Sequence, residues 1–280
     1  MESAEALTVV VIPDSHAQPG VSNERFTLLG RMICSVLGSA TSKALVVNIG
    51  DMFDLPSLNS FDKPGSKSFE GRRYADDIAS GLDAQRLLYK EIEDYNRPRR
   101  GDARLDIEWH YTLGNHEARI TRAIESDPTK LEGVMSLDEL TEDQPIPWTV
   151  HPFLKPVFLG GVGFCHYWVS GVMGRGVSGE NPSAPLLRKQ MTSCVQGHRH
   201  VLDFSERTTA NSKKLSALVC GYYGPYEHWA GPQVNSLWTH GISVLHVQDG
   251  SFDWEWWSLR RIQNAIGYAE RIRAPIPCAV

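Results

Sequence analysis

Residues 7–16 read LTVVVIPDSH and residues 44–54 read ALVVNIGDMFD. Each is a β-branched apolar run without polar alternation, cut off by Pro13 or Gly50 and followed at once by a carboxylate. Such a run predicts a strand buried on both faces. Between the two, residues 23–37 place Phe26, Leu29, Ile33 and Leu37 at helical spacing, which predicts an amphipathic helix. A long helix is expected over 72–95, with Ile78, Leu82, Leu87 and Leu88 on its core side. A third strand is expected over 107–113, running into Gly114-Asn115-His116-Glu117, with a short helix just after Asn115. This β-α-β-α-β opening predicts parallel strands covered by helices. The second half reads differently. Strand-like runs recur at 156–165, 193–196, 201–208, 215–220, 241–247 and 253–258 with little helix between them, predicting mixed strands that close a two-layered β core. No repeat or low-complexity linker interrupts the chain, so one domain is expected over 1–265, with a tail at 266–280.

The composition is that of a globular chain: 280 residues, 41% hydrophobic and 22% charged. A net charge of −5 supplies no global basic field for coating nucleic acid, although bound metal ions would add charge that this count omits. The five cysteines (34, 165, 194, 220 and 278) form no C-x-x-C unit. That argues against a disulfide framework or a zinc knuckle and for a reducing compartment. The start, MESAEALT, lacks a signal-peptide pattern, and no apolar run is long enough to span a bilayer. A cytoplasmic protein is the expectation.

Five short motifs stand where apolar runs stop. They are Asp14-Ser15-His16, Gly50-Asp51-Met52-Phe53-Asp54, Gly114-Asn115-His116-Glu117, His166 after V-G-F-C, and Gly197-His198-Arg199-His200 after S-C-V-Q. Ligands bind open α/β sheets at the carboxyl ends of their strands, so motifs distant in sequence can meet on one rim. Carboxylate, imidazole and amide oxygen, with no thiolate, suit divalent ions such as Mn, Fe and Zn. An aspartate has two oxygens and can bridge a pair of them. The glycines before Asp51, Asn115 and His198 are expected to permit sharp turns. Singly each motif is weak, and a lone histidine is usually structural. The ordered set D-x-H, G-D-x-x-D, G-N-H-E, H, G-H-x-H carries the information.

In that order the motifs, spread over residues 7–200, resemble the signature of the calcineurin-like metallophosphoesterase superfamily, with a compact layout similar to phage and bacterial members. The resemblance implies a four-layer αββα sandwich of mixed sheets flanked by helices. It also implies two divalent metal ions, manganese first, with iron, zinc, nickel or magnesium as other choices. Asp14, His16, Asp51 and His200 would hold the first ion. Asp51 would bridge, and Asn115, His166 and His198 would complete the second. His116 would contact the phosphate and protonate or stabilise the leaving oxygen, with Asp54 orienting it. The implied reaction is in-line hydrolysis by a metal-bridging hydroxide. A phosphodiester in a nucleotide or nucleic acid is the favoured substrate. The alternatives are a phosphomonoesterase on nucleotides or phosphoproteins and a non-catalytic binding scaffold. Every implied ligand position is filled, which counts against the scaffold. The compartment would be the host cytoplasm if the chain is phage-encoded.

Around these motifs several residues admit two readings. Arg119 and Arg122 could reach a second phosphate or sugar, or be surface residues. In residues 221–229, GYYGPYEHW, the rings of Tyr222 and Tyr223, with Tyr226 and Trp229, could stack on a base or simply pack together; His228 is open in the same way. Residues 160–181 hold seven glycines and are expected to form a flap near the site. Residues 97–104, RPRRGDAR, are either a solvated turn or a phosphate-contacting patch. Cys165 is expected to be a buried inert thiol, and Trp254, Trp256 and Trp257 to serve packing.

Overall fold

A computed structural model describes residues 6–62, 65–142, 144–224 and 230–265. The expected tail at 266–280, together with Tyr226, His228 and Trp229, lies outside the described residues.

The opening run forms β1 (Leu7–Ile12), buried at every position. β2 (Lys43–Asn48) and β3 (Ile107–Thr112) follow, each pairing in parallel with its predecessor, and β4 (Thr149–His151) extends the parallel series. β12 (Gly241–Gln248) adds to the other edge of β1 antiparallel, and β13 (Ser251–Ser258) pairs antiparallel with β12. The result is a six-stranded mixed sheet, β13-β12-β1-β2-β3-β4. A second mixed sheet has five strands, ordered β10-β11-β9-β6-β5. These are β5 (Val157–Leu159), β6 (Val162–Phe164), β9 (Cys194–Gln196), β10 (Leu202–Thr208) and β11 (Lys214–Cys220). β6, β9 and β11 run in parallel, so the chain leaves β6 and β9 at the same end.

Alternation along β1 explains why it reads as uniformly apolar. Val9 and Val11 join Leu45, Val47 and Ile49 in the core between the sheets, against Phe164, Val195 and Leu218. Val10 and Ile12 face the other way, toward α1 (Glu24–Leu37) and α2 (Tyr74–Asn96). All four residues expected on the core side of α1 are buried. On α2, Ile78 and Leu88 are buried, while Leu82 and Leu87 pack partly buried against the same cluster. Gly30 lets the two helices touch, since a Cβ there would lie 2.4 Å from the Leu88 carbonyl oxygen. On the far side of the second sheet, α5 (Ser183–Gln190) buries Leu186 and Leu187 against Cys194, Ala217 and Val219. From one side to the other the layers are helices, sheet, sheet, helix. Shorter helices among the described residues include α3 (Ala118–Ser126), α4 (Pro128–Leu131) and α6 (Gly231–Asn235), and residues 259–265 are also helical.

The α/β class with mixed sheets matches the expectation, with three local differences. The run at 156–165 is two strands, because Gly160 and Gly161, both at positive φ, turn the chain into an antiparallel hairpin. The second half contains α5, which begins S-A-P after Asn181-Pro182 and is too short and proline-rich for its period to be read. The expected flap at 160–181 is not one loop. It supplies β6 to the core and then folds into the hairpin of β7 (Val169–Ser170) and β8 (Arg175–Gly176). Among the described residues, no helix is long and apolar enough to cross a membrane.

Candidate metal centre

The carboxyl ends of β1, β2 and β3 and of β6 and β9 deliver all five motifs to one place. The turns are tied to one another by backbone bonds. Ser15 and His16 N–H both donate to the Asp51 carbonyl at 3.1 and 3.0 Å, and Gly197 N–H donates to the His166 carbonyl at 2.9 Å. Four candidate ligands sit on left-handed backbone: His16 (φ 44), Asp51 (φ 52), His198 (φ 67) and His200 (φ 57). This conformation is costly for residues with a Cβ and concentrates at functional sites.

The motif glycines act differently from expectation in two of three cases. Gly50 has φ 104 and does make a turn. Gly114 and Gly197 are not at positive φ; they supply space. A Cβ on Gly114 would lie 2.1 Å from Asp51 Oδ1, and one on Gly197 would lie 2.3 Å from Asp14 Oδ1. Either would overlap the carboxylate it lies against.

The side chains converge tightly. Asp14 Oδ2 is 3.1 Å from His200 Nε2, and Asp14 Oδ1 accepts the His198 backbone N–H at 2.8 Å. Asp51 Oδ1 accepts the His116 backbone N–H at 2.9 Å, while Oδ2 lies 3.2 Å from His166 Nε2 and 3.8 Å from His16 Nε2. His166 Nε2 is also 2.9 Å from Asn115 Oδ1. Donor atoms within 4.8 Å of one another define three groups: Asp14, His16 and His200; Asp51, His166 and His198; and His16, Asp51 and His116. The seven residues expected to bind metal are thus brought together. The third group adds His116, which the resemblance places outside the ligand set.

Whether these residues fit a cation can be asked of their hydrogen bonding. His166 Nδ1 faces the Ile49 carbonyl at 2.9 Å, so it carries the proton and donates. Its Nε2 then points at two acceptors, the Asn115 amide oxygen and the Asp51 carboxylate, an arrangement that a proton on Nε2 or a cation between the three groups would satisfy. Both ring nitrogens of His16 are buried without a hydrogen bond. Asp51 and Asp14 are almost fully buried. Burial opposes charge on His16 and His166, but the surrounding carboxylates outweigh it and hold both imidazoles up at about 9. Burial and the neighbouring His166 push His198 down to about 4, leaving it neutral as a metal ligand must be. Oxygen and imidazole donors of this kind fit divalent ions.

His116 sits at the rim. Its Nδ1 is 2.8 Å from the Asp54 carbonyl oxygen and 2.9 Å from Asp54 Oδ1, as expected if Asp54 orients it. Burial works against the Asp54 charge, but the His116 hydrogen bond and His16 hold its carboxyl down at about 2. Sequence reasoning assigned no role to Glu117. Fully buried, it accepts the backbone N–H groups of Asp51 (2.9 Å), Phe53 (3.0 Å) and Gly114 (2.8 Å) and the Tyr111 hydroxyl (2.7 Å). It clips two motif turns together. Its position beside three motif residues was the available signal.

The expected substrate contacts fare less well. Tyr223 is a core residue: its ring meets Phe26 edge-on and its hydroxyl donates to the Arg25 carbonyl at 2.7 Å. Tyr222 is fully buried, stacked on His200 at 4.6 Å and edge-on to His16. Neither offers an open face to a base, so both expectations are corrected; Tyr222 shapes the metal centre instead. Half-buried Trp238, not singled out from the sequence, stands perpendicular to His200 at 4.3 Å. Arg119 is turned inward onto Asp54, Leu55 and His116. Arg122 donates to the Asn115 carbonyl at 2.6 Å. The arginines of 97–104 precede β3 and so lie at the opposite end of that strand from Asn115. Arg97 pairs with Asp94 and Arg99 stacks on Tyr95, which is the solvated-turn reading. Cys165 is buried, and its thiol is pushed up to about 12, as an inert thiol should be.

Fold and site together define a mixed α/β protein with clustered, buried aspartate and histidine groups that could hold metal ions. No protein-family model matches the chain, and no curated protein matches it.

Proposed function

We propose that the chain is a dinuclear-metal-dependent phosphoester hydrolase of the calcineurin-like type, acting on a phosphodiester in a nucleotide or nucleic acid. The observation that carries this reading is the position of Asp51. It lies in one donor group with His16 and His116 and in a second with His166 and His198. A ligand shared by two ions would stand in such a position. Asp14, His16 and His200 would complete one position, and Asn115, His166 and His198 the other. Divalent ions held there would supply Lewis acidity and neutralise charge on a phosphoryl group.

The chain's own residues account for the rest. His116, 14% exposed at the rim, would act on the leaving oxygen, with Asp54 orienting its ring. Arg122, which donates to the Asn115 carbonyl, would meet an incoming phosphate. The phosphodiester preference rests on the resemblance of the ordered motifs, and the acidic net charge favours a nucleotide or single strand over a long duplex.

The experiment is hydrolysis of bis-p-nitrophenyl phosphate by the purified protein with added Mn²⁺, beside Asp51→Asn. Metal-dependent turnover that disappears in the variant supports the reading. Faster hydrolysis of p-nitrophenyl phosphate than of the diester would move the substrate to a monoester. A protein that binds none of manganese, iron, zinc, nickel and magnesium would overturn the proposal.

A further inference from the structure

The His116 ring is held at both nitrogens. Nδ1 meets Asp54, whose carbonyl and carboxylate oxygens are acceptors at 2.8 and 2.9 Å. Nε2 meets Arg119 Nη2 at 3.1 Å. A guanidinium has only donors. The Arg119 contact therefore requires a lone pair on His116 Nε2, and the Asp54 contact requires the proton on Nδ1. One tautomer satisfies both. Arg119 is itself anchored: Nη1 donates to the Asp54 carbonyl at 2.6 Å and to the Leu55 carbonyl at 3.2 Å. Leu55 has left-handed backbone at φ 49, which helps aim its carbonyl. The guanidinium thus spans from the turn that carries Asp54 to the ring that Asp54 orients.

We infer that Arg119 is a positioning residue that fixes the orientation and tautomer of His116, with Nε2 presented as an acceptor at the rim of the metal centre. The inference deepens the proposed phosphoesterase reading, since its effect on turnover presupposes that reading. Its structural content does not. Without Arg119 the ring loses the partner that forbids a proton on Nε2 and is held by Asp54 alone. It can then leave Asp54, either changing tautomer or turning about its Cβ–Cγ bond.

The test is ¹⁵N NMR of the histidine ring nitrogens in protein with added Zn²⁺, a diamagnetic ion, for wild type, Arg119→Met and Arg119→Lys. Met keeps the apolar stem and removes every donor; Lys restores one. The expected wild-type pattern is a protonated Nδ1 and an unprotonated Nε2 on His116. That pattern should be lost in Arg119→Met and recovered at least in part in Arg119→Lys. A wild-type ring protonated on Nε2, or an unchanged pattern in Arg119→Met, overturns the inference. This readout needs no turnover, so it stands apart from whether the protein hydrolyses phosphoesters. With bis-p-nitrophenyl phosphate and Mn²⁺, Arg119→Met is expected to lower kcat by about 10- to 100-fold with KM little changed, the usual effect of losing an orienting partner. Added guanidinium should restore part of kcat. A raised KM with kcat intact would make Arg119 a substrate contact and would also overturn the inference.

Discussion

Asp14 Oδ1 accepts the backbone N–H of His198 at 2.8 Å across 184 residues of chain. The same carboxylate faces His200 through its other oxygen. A candidate metal ligand from the first strand therefore also holds the turn that presents two more. Metal binding at these residues would be physically linked to the docking of the second sheet's turns onto the first.

This linkage sets the response to metal removal. Ions that bind only the folded state stabilise it by mass action, about 2.7 kcal/mol at a hundredfold excess over Kd. Adding Mn²⁺ to chelated protein should raise its melting temperature, and Asp51→Asn should abolish most of that rise because it alters both groups at once. An equal rise in wild type and variant would place the bound ion elsewhere.

The pH dependence of the metal-free protein follows from three imidazoles. His16 and His166 are held up at about 9, so their contribution is complete below the ordinary 6.5 and is lost as pH rises through about 9. His198 is held down at about 4, so its contribution is present above 6.5 and is lost as pH falls through about 4. Stability without metal should peak near pH 6.5. Metal must displace the protons on His16 and His166, so titrating Mn²⁺ into metal-free protein at pH 7.5 should release about two protons. A release near zero, followed with a dilute indicator dye, would contradict this account.

Glu117 should be a stability residue. Its carboxylate takes three backbone N–H groups and the Tyr111 hydroxyl. Glu117→Gln turns one acceptor oxygen into a donor among donors and should destabilise by about 3 kcal/mol in urea unfolding. Tyr111→Phe, which removes one bond at the edge of the network, should cost about 1 kcal/mol. Comparable losses for the two would deny Glu117 its place at the centre of the clip.

Gly114→Ala separates space from flexibility. The new methyl would overlap Asp51 Oδ1, so metal affinity should fall by about 10- to 100-fold, as it does when a ligand's orientation is lost. Gly20, at φ 81 with nothing near its would-be Cβ, is the control. Gly20→Ala should show backbone strain in melting temperature and no change in affinity measured by calorimetry.

His116→Ala should greatly reduce turnover of bis-p-nitrophenyl phosphate while leaving bound Mn²⁺ per chain unchanged. Loss of metal together with activity would make His116 a ligand, as its grouping with His16 and Asp51 allows.

The strands, the α/β class and the aspartate and histidine residues of the candidate site were legible in the sequence because each is written locally. β1 and β2 are unbroken β-branched runs, α1 repeats its apolar residues at helical spacing, and aspartate or histidine stands where each run stops. Residue type alone restricts what such ends can bind. What required the tertiary structure was everything decided by who meets whom. Tyr222 and Tyr223 could have been a platform for a base or packing residues; pairing of their segment with Asp14 and the packing of α1 buried them. Arg119 could have reached a phosphate or stayed at the surface; the turn after β2 offered it two carbonyls and His116 a ring nitrogen. Glu117 looked like the unassigned end of a motif; three N–H groups from two separate turns gathered on it. Gly114 and Gly197 looked like turn formers; neighbouring carboxylates needed the room. Local periodicity fixes an element and the residues at its end. Contacts between distant turns arise only when the sheets pair and pack, and no single segment carries the information for that.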